Sequence, residues 1–191
     1  MALTPSVMLA LDTQAPDFSL LEPLTGNTVS LSDYKNQPVL IAFICNHCPY
    51  VILLKEAFER FANDYQKQGI KVIAINSNDV ENYPQDSPEK MIEDVKEFNY
   101  SFPYLFDETQ QIAQQYKAAC TPDFFLFDNE HKLYYRGQFD SARPNSNIPV
   151  TGSDMKSAVD NLLNDLPSPI DQIPSVGCGI KWKQGNQPDY S

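Results

Sequence analysis

The chain of 191 residues has a formal net charge of −11, and 42% of its residues are hydrophobic and 12% aromatic. This composition is typical of a folded domain that buries a core, and it excludes a disordered chain. The acidity argues against nucleic acid and membrane surfaces as partners, because their phosphate groups would repel the chain. The longest apolar run, residues 39–44, is far shorter than the roughly 20 residues of a membrane-spanning helix.

The first half of the chain predicts a hairpin, a buried strand and a long helix. Strands are predicted at residues 17–21 and 27–31 around a turn at Gly26, which gives an N-terminal β-hairpin. The unbroken apolar run at 39–44 is typical of a strand covered on both faces. After it, apolar residues recur every three or four positions from Val51 to Tyr65, which predicts an amphipathic helix that ends at Gly69.

The second half alternates strands and helices. We predict strands at 70–75, 104–106, 123–127 and 132–137, and helices that begin at Pro88, after a cap at Asp107, and at residue 153. This order implies a parallel pair joined by a helical crossover, followed by an antiparallel hairpin.

Two segments have no predicted helix or strand. Residues 137–152 form a long loop, which makes them a candidate lid. Residues 166–191 are predicted to be an irregular tail that packs on a domain of residues 1–165. The apolar side chains expected to anchor this tail are Ile170, Ile173, Val176, Ile180 and Trp182.

The four cysteines, at positions 45, 48, 120 and 178, indicate redox chemistry or metal binding. Residues 1–6 contain neither a basic residue nor a sustained apolar run, so we expect no secretory signal and a cytoplasmic location. The cytoplasm is reducing, and structural disulfide frameworks are rare there.

The strongest signal is the Cys45-Asn46-His47-Cys48 sequence, which follows the buried strand and opens the predicted helix. A helix N-terminus offers unpaired N–H groups and partial positive charge, so we expect it to stabilise a thiolate at Cys45. Cys48, one turn later, can resolve a mixed disulfide formed at Cys45. His47 can favour the Cys45 thiolate as a cation or as a hydrogen-bond donor. No acidic residue lies on the preceding strand, so the sequence names no buried acid for proton transfer to Cys48.

Zinc binding is the competing interpretation of these cysteines. Cys45 and Cys48 with Cys120 and Cys178 could supply four thiolates. Structural zinc sites usually draw on two closely spaced pairs, whereas Cys120 and Cys178 stand alone. We therefore favour redox chemistry and predict no metal and no cofactor. A third interpretation, in which Cys45 and Cys48 have no chemical role, also stays open.

A second motif, Cys120-Thr121-Pro122-Asp123, stands where a later strand begins. With the order of elements, it makes the chain resemble the thioredoxin superfamily. The resemblance implies an α/β thioredoxin-like fold, with a central mixed sheet flanked by helices. It also implies a cis bond between Thr121 and Pro122, whose backbone faces the CxxC pair and receives an extended substrate as an added strand.

The chain is more closely similar to the redoxin branch of that superfamily, which contains the peroxiredoxins. The motifs that carry this similarity span nearly the whole chain: Ala15-Pro16-Asp17-Phe18-Ser19-Leu20, Cys45-Asn46-His47-Cys48-Pro49, Asn76-Ser77-Asn78-Asp79, Ala119-Cys120-Thr121-Pro122-Asp123-Phe124-Phe125 and Gly177-Cys178-Gly179-Ile180-Lys181-Trp182-Lys183. They resemble a peroxiredoxin-like subgroup of the AhpC/TSA type, which implies oxidoreductase and antioxidant chemistry.

One position departs from the peroxiredoxin pattern. Peroxiredoxins share a Pro-x-x-x-Thr/Ser-x-x-Cys element whose hydroxyl helps to hold the peroxide, and Ala42 stands at the hydroxyl position before Cys45. We therefore favour a thiol-disulfide oxidoreductase that uses Cys45 and Cys48. A thiol peroxidase with Cys45 as the peroxidatic residue is the first alternative, and a non-enzymatic redox-sensing or zinc-binding module is the second.

The expected partners follow from this chemistry: a protein or small-molecule disulfide, or a peroxide, and a thiol reductant. Thr121 and Pro122 are the predicted substrate-binding residues. Cys120 precedes Pro122 by two positions and is either an auxiliary thiol or a buried apolar residue. Cys178 lies between two glycines of the tail and is either a resolving thiol for Cys45 or inert.

Overall fold

A computed structural model describes residues 3–190 and folds them as an α/β protein. The strands are β1 (Leu3–Pro5), β2 (Ser19–Leu21), β3 (Thr28–Ser30), β4 (Val39–Phe43), β5 (Lys71–Asn76), β6 (Tyr104–Phe106), β7 (Cys120–Thr121), β8 (Asp123–Phe127), β9 (Leu133–Tyr135) and β10 (Val176–Gly179). The helices are α1 (Pro49–Gln66), α2 (Pro88–Phe98), α3 (Gln111–Gln115) and α4 (Ser153–Leu163). Within residues 3–190, no helix combines the length and the apolar character that crossing a bilayer requires.

The central sheet has seven strands in the order β3-β2-β6-β5-β4-β8-β9. Strand β4 lies parallel to β5 and antiparallel to β8, and β2 pairs antiparallel with β3. The predicted crossover through α1, the β8–β9 hairpin and the N-terminal hairpin are therefore confirmed. The predicted fold class, a mixed sheet flanked by helices, is confirmed with them.

Two apolar clusters cover the two faces of this sheet. Alternate residues of β4 point into each, with Leu40 and Ala42 in one cluster and Ile41 and Phe43 in the other. All five residues of β4 are buried, which explains why the run is apolar at every position. This double burial fixes the end of β4, from which the cysteine loop continues.

Helix α3 begins later than the sequence predicts. Its N-cap is Gln110, which has a left-handed φ of 65°, and its first residue is Gln111. The Asp107 carboxylate nevertheless accepts a hydrogen bond from the N–H of Ala113 at 3.0 Å. Asp107 thus supplies a capping interaction from outside the N-cap position.

The loop at residues 137–152, a candidate lid, is hydrogen-bonded to Asp140 at both ends. Asp140 is buried, and its carboxylate accepts hydrogen bonds from the backbone N–H groups of Ala142, Thr151 and Gly152 at 2.9, 2.6 and 2.6 Å. Phe139 is buried in the cluster beneath α1. These contacts tie both ends of the loop to the domain.

The tail contains a strand, which corrects the prediction that residues 166–191 are irregular. β10 pairs antiparallel with both β1 and β7 in a separate three-stranded sheet. The tail packs on the domain as expected, since Ile180 is buried and Trp182 packs against the core. Ile170 and Ile173 are not anchors, because they are 93% and 57% exposed.

Candidate active site

Cys45 and Cys48 lie in the loop between β4 and α1. Because α1 begins at Pro49, its N-cap is Cys48 and not Cys45. Proline suits the first helical position, since its φ is preset and it has no N–H to leave unpaired. Both cysteine side chains are buried, with residue exposures of 1% and 0%.

The hydrogen bond between Cys45 and Cys48 shifts their pKa values in opposite directions. A hydrogen bond from the Cys45 thiol, supported by others from Cys178, Thr121 and the N–H of Val51, lowers the pKa of Cys48 to about 5 in spite of its burial. The same bond to Cys48, together with burial and the charge of Asp86, raises the pKa of Cys45 well above its usual value. These pKa directions favour ionisation of Cys48, the residue at the helix N-terminus, over ionisation of Cys45, and the Cys45 thiolate stays a prediction.

The cis bond between Thr121 and Pro122 is confirmed. Thr121 contacts both sulfurs: its Oγ1 lies 3.3 Å from Cys45 Sγ, and its carbonyl oxygen lies 3.0 Å from Cys48 Sγ. The sequence therefore placed this dipeptide correctly beside the pair.

However, strand β10 already pairs with the backbone edge of β7 that contains Thr121. In the ladder between β7 and β10, Cys178 lies opposite Thr121 and Gly179 lies opposite Cys120. An extended substrate cannot pair with the same backbone edge while β10 is in place. The predicted addition of a substrate strand at Thr121 and Pro122 is thus corrected by the pairing of the tail.

Asp86 is the main site residue that the sequence analysis missed. It is fully buried, and its carboxylate accepts hydrogen bonds from the N–H groups of Asn46 and His47 at 2.9 and 3.3 Å. It also lies 2.6 Å from His47 Nδ1 and accepts a bond from Asn78 Nδ2 at 2.8 Å. Asp86 stands in a polar loop far along the chain, and no sequence pattern links it to the cysteines.

His47 lies between Asp86 and the ring of Tyr83, on which it stacks with 5.7 Å between centroids. Its side chain is 16% exposed, in contrast to the buried cysteines. Ligand atoms of Cys45, His47 and Asp86 all lie within 4.8 Å of one another. His47 therefore lies close to Cys45, with Asp86 beside both, and its influence on the Cys45 thiol stays a prediction.

A buried ion pair supports the same loop from the other side. Lys55 Nζ donates to Asp94 Oδ1 at 2.6 Å and to the carbonyl oxygen of Asn46 at 3.2 Å. The hydroxyl of Tyr104 donates to Asn46 Oδ1 at 3.0 Å. The loop that carries the cysteines is thus hydrogen-bonded on both sides, which fixes its geometry.

A four-thiolate zinc site is not formed. Among residues 3–190, the only group of three or more metal-ligand side chains with all ligand atoms within 4.8 Å is Cys45, His47 and Asp86. The Cys120 thiol instead donates to the Pro122 carbonyl at 3.5 Å, and burial raises the pKa of Cys120 well above its usual value. Cys120 thus resembles a buried apolar residue more than an auxiliary thiol.

Cys178 lies beside Cys48. Burial and a hydrogen bond to Cys48 raise the pKa of Cys178 to about 12. The sequence analysis considered Cys178 as a resolving thiol for Cys45. In the structure Cys178 is hydrogen-bonded to Cys48 instead. The pairing of β10 with β7 explains the difference, because it positions Cys178 at Thr121.

Comparisons with known proteins identify the family of this chain. Residues 11–136 match the model of the AhpC/TSA family. The thiol-disulfide oxidoreductase ResA of Geobacillus kaustophilus is 30% identical over 130 residues, which cover 68% of this chain and 70% of that protein.

Solved structures show the same fold. The crystal structure of an uncharacterized conserved protein from Geobacillus kaustophilus is 51% identical, with a TM-score of 0.93 over 96% of this chain and 97% of that chain. A thiol:disulfide interchange protein of the thioredoxin family from Chlorobium tepidum is 15% identical, with a TM-score of 0.63 over 82% of this chain and 99% of that chain. At this low identity, the second likeness shows the thioredoxin-like fold alone.

Proposed function

This chain belongs to the AhpC/TSA family, and we propose that it uses the Cys45–Cys48 dithiol for thiol-disulfide exchange. The observation that carries the proposal is the buried, hydrogen-bonded pair of thiols beside a cis Thr121–Pro122 bond. The ResA relative, a thiol-disulfide oxidoreductase, supports the same chemistry. The protein is accordingly an oxidoreductase whose reduced form donates two electrons to a disulfide.

The two cysteines have different tasks in this cycle. Cys45 lies near His47 and Asp86, and His47 is the partly exposed side chain of the three. Cys45 Sγ gives its proton to the His47–Asp86 couple and attacks one sulfur of the substrate disulfide, and the couple returns that proton to the departing sulfur, which leaves as a thiol. The Cys48 thiolate then attacks Cys45 Sγ, which forms the Cys45–Cys48 disulfide and releases the second sulfur as a thiolate. A thiol reductant restores the dithiol.

Trapping of the mixed disulfide tests this order. With a chromogenic small-molecule disulfide, Cys48→Ser should stop at a stable adduct on Cys45, identified by peptide mass spectrometry. Cys45→Ser should lose turnover, and the matched control Cys120→Ser should keep it, because the Cys120 thiol bonds to Pro122 and not to the pair. Equal turnover of the wild type and Cys45→Ser would contradict the proposal.

Thiol peroxidase activity is the second candidate, and one contact favours it. The hydroxyl of Thr121 lies 3.3 Å from Cys45 Sγ, so it could hold a peroxide in place of the hydroxyl that Ala42 lacks. The test is the rate at which reduced protein loses the Cys45 thiol to hydrogen peroxide. A rate far above that of a free thiolate, lost in Thr121→Val, would support a peroxidase. A rate equal to that of a free thiolate would exclude it.

A reducing compartment suits the proposed cycle. All four cysteines are free in the structure. The thiol reductant that the cycle consumes is abundant in such a compartment. We therefore propose the cytoplasm as the location, and a protein or small-molecule disulfide as the substrate.

A further inference from the structure

We propose that Cys178 is a third redox-active cysteine, which exchanges with Cys48 and moves the disulfide from Cys45–Cys48 to Cys48–Cys178. The proposal rests on the redox function of the Cys45–Cys48 pair. It assigns to the tail a direct part in the chemistry.

The backbone of Thr121 brings the two sulfurs together. Cys178 is directly opposite Thr121 in the ladder between β10 and β7, and the Thr121 carbonyl oxygen lies 3.0 Å from Cys48 Sγ. Opposite residues of an antiparallel pair have Cα atoms about 4.5–5.5 Å apart. Cys48 accepts hydrogen bonds from both Cys45 and Cys178, so it is the shared neighbour of the other two thiols.

Strand β10 is held firmly in this place. Ser175 Oγ donates to the Pro122 carbonyl at 2.8 Å, and the N–H of Ser6 donates to the Ser175 carbonyl at 2.8 Å. Beyond the strand, the N–H of Lys181 donates to Asn78 Oδ1 at 2.9 Å. Because both ends are anchored, the Cys178 sulfur stays beside Cys48, and its effective concentration there is high.

Strand β10 occupies the backbone edge at which an extended substrate would pair. A strand added beside the Thr121–Pro122 backbone presents its side chains to the cysteine pair. Strand β10 is such a strand, supplied by the chain itself, and Cys178 is the residue opposite Thr121. The tail is therefore an internal counterpart of a disulfide substrate.

The exchange step is balanced without an external oxidant. Cys178 Sγ attacks Cys48 Sγ in the oxidised pair, so the Cys48–Cys178 bond forms as the Cys45–Cys48 bond breaks. The electron pair of the broken bond leaves on Cys45, which takes up the proton lost by Cys178. One disulfide and one thiol are present before and after the step.

Disulfide mapping tests the proposal. Wild type and Cys45→Ser are oxidised with glutathione disulfide, quenched in acid, alkylated and digested for peptide mass spectrometry. In Cys45→Ser, the Cys48 thiolate takes up one glutathione, and Cys178 should displace it to leave a Cys48–Cys178 link. In the wild type, Cys48–Cys178 peptides should accompany Cys45–Cys48 peptides.

Two further variants serve as controls. Cys45→Ser/Cys178→Ser should retain glutathione on Cys48, whereas Cys45→Ser/Cys120→Ser should form the Cys48–Cys178 link as Cys45→Ser does. The wild type decides the outcome even if a variant fails to fold. If its Cys48–Cys178 peptides are no more abundant than peptides linked through Cys120, the proposal is overturned.

Turnover with a disulfide substrate, measured on the same wild-type samples, separates this proposal from the proposed function. Normal turnover without the Cys48–Cys178 link would overturn only the role of Cys178. The link without turnover would overturn only the proposed function.

Discussion

Asp86 organises the cysteine loop at the scale of single residues. Backbone N–H groups ahead of a helix need acceptors, and Asp86 binds those of both Asn46 and His47. A buried carboxylate is tolerated only with several donors, and Asn78 and His47 Nδ1 complete the set. Its negative charge also raises the pKa of Cys45, which keeps the proton on that sulfur. Cys45 can then donate to the Cys48 thiolate.

We therefore expect Asp86→Asn to lower the pKa of Cys45, because the variant removes a nearby negative charge. The neutral side chain also leaves buried donors poorly paired, at a cost of about 1–3 kcal/mol in the free energy of unfolding. The rate of Cys45 alkylation against pH, read by mass spectrometry, measures the first effect, and urea unfolding measures the second.

The matched control for this variant is Asp79→Asn. Asp79 is also buried, but its carboxylate binds the N–H of Glu81 and Asn82 Nδ2, and not the cysteine loop. In this control variant, the rate of Cys45 alkylation should depend on pH as it does in the wild type. An Asp86→Asn profile identical to that of the wild type would contradict the role assigned to Asp86.

At the scale of elements, the close pairing of β10 with β7 depends on Gly177. A Cβ at this position would lie 2.0 Å from the Thr121 carbonyl oxygen and 2.7 Å from the carbonyl carbon. Both atoms belong to the backbone of the strand beside the cysteine pair, so neither can move without shifting that strand. Glycine is thus required by close approach, and not by an unusual φ.

Gly177→Ala should separate β10 from β7 and lower the free energy of unfolding by about 1–3 kcal/mol. The separation should also expose Cys48, which is 0% exposed in the intact structure, and speed its alkylation. Gly179→Ala is the control in the same strand, because its Cβ would meet the Thr4 hydroxyl at 3.1 Å, and that side chain can rotate. Equal stability and equal Cys48 alkylation in the two variants would show that Gly177 does not set the pairing.

The elements differ in how well the sequence predicts them. Helix α1 and strand β4 were predicted because their apolar residues follow the periodicity of the structure that they form. Strand β10 was missed because Val176-Gly177-Cys178-Gly179 has little intrinsic strand propensity. It forms because two distant segments, β1 and β7, provide partners on both sides. Pairing of this kind is long-range and leaves no local pattern.

For the whole molecule, the sequence predicted the fold and most of the site, but not the ionisation of the site. The motifs around Cys45 and Thr121 were sufficient to predict that these two residues lie together, whereas the sequence left Cys178 as either a resolving thiol or an inert cysteine. The preference for a Cys48 thiolate depends on hydrogen bonds from Cys45, Cys178 and Thr121, and the contribution of Asp86 depends on a segment far along the chain. Electrostatic effects of this kind arise from the assembled structure, so residue types alone do not determine them.

The ionisation of Cys48 should make the stability of the reduced molecule depend on pH. Its pKa is lowered to about 5 in the folded state, and the unfolded chain keeps a value near 9.0. Below the folded value both states carry the proton, so this group contributes nothing. Between the two values only the folded state is ionised, so stability rises with pH and is complete above the unfolded value. At pH 7 the contribution is on the order of 1–3 kcal/mol.

Oxidation of the same chain provides the internal control, because the disulfide removes the titrating thiols and leaves the other ionisable groups in place. We expect urea unfolding between about pH 5.5 and 8 to show that the free energy of unfolding of the reduced form increases with pH relative to that of the oxidised form. The raised pKa of Cys45 acts only above the usual thiol range, where it removes stability, so it does not interfere in this window. Cys48→Ser, unfolded under reducing conditions, should lack the rise. A difference between the two redox forms that stays constant across this window would mean that Cys48 is protonated in the folded protein, and the resolving thiolate would then have to form during the reaction.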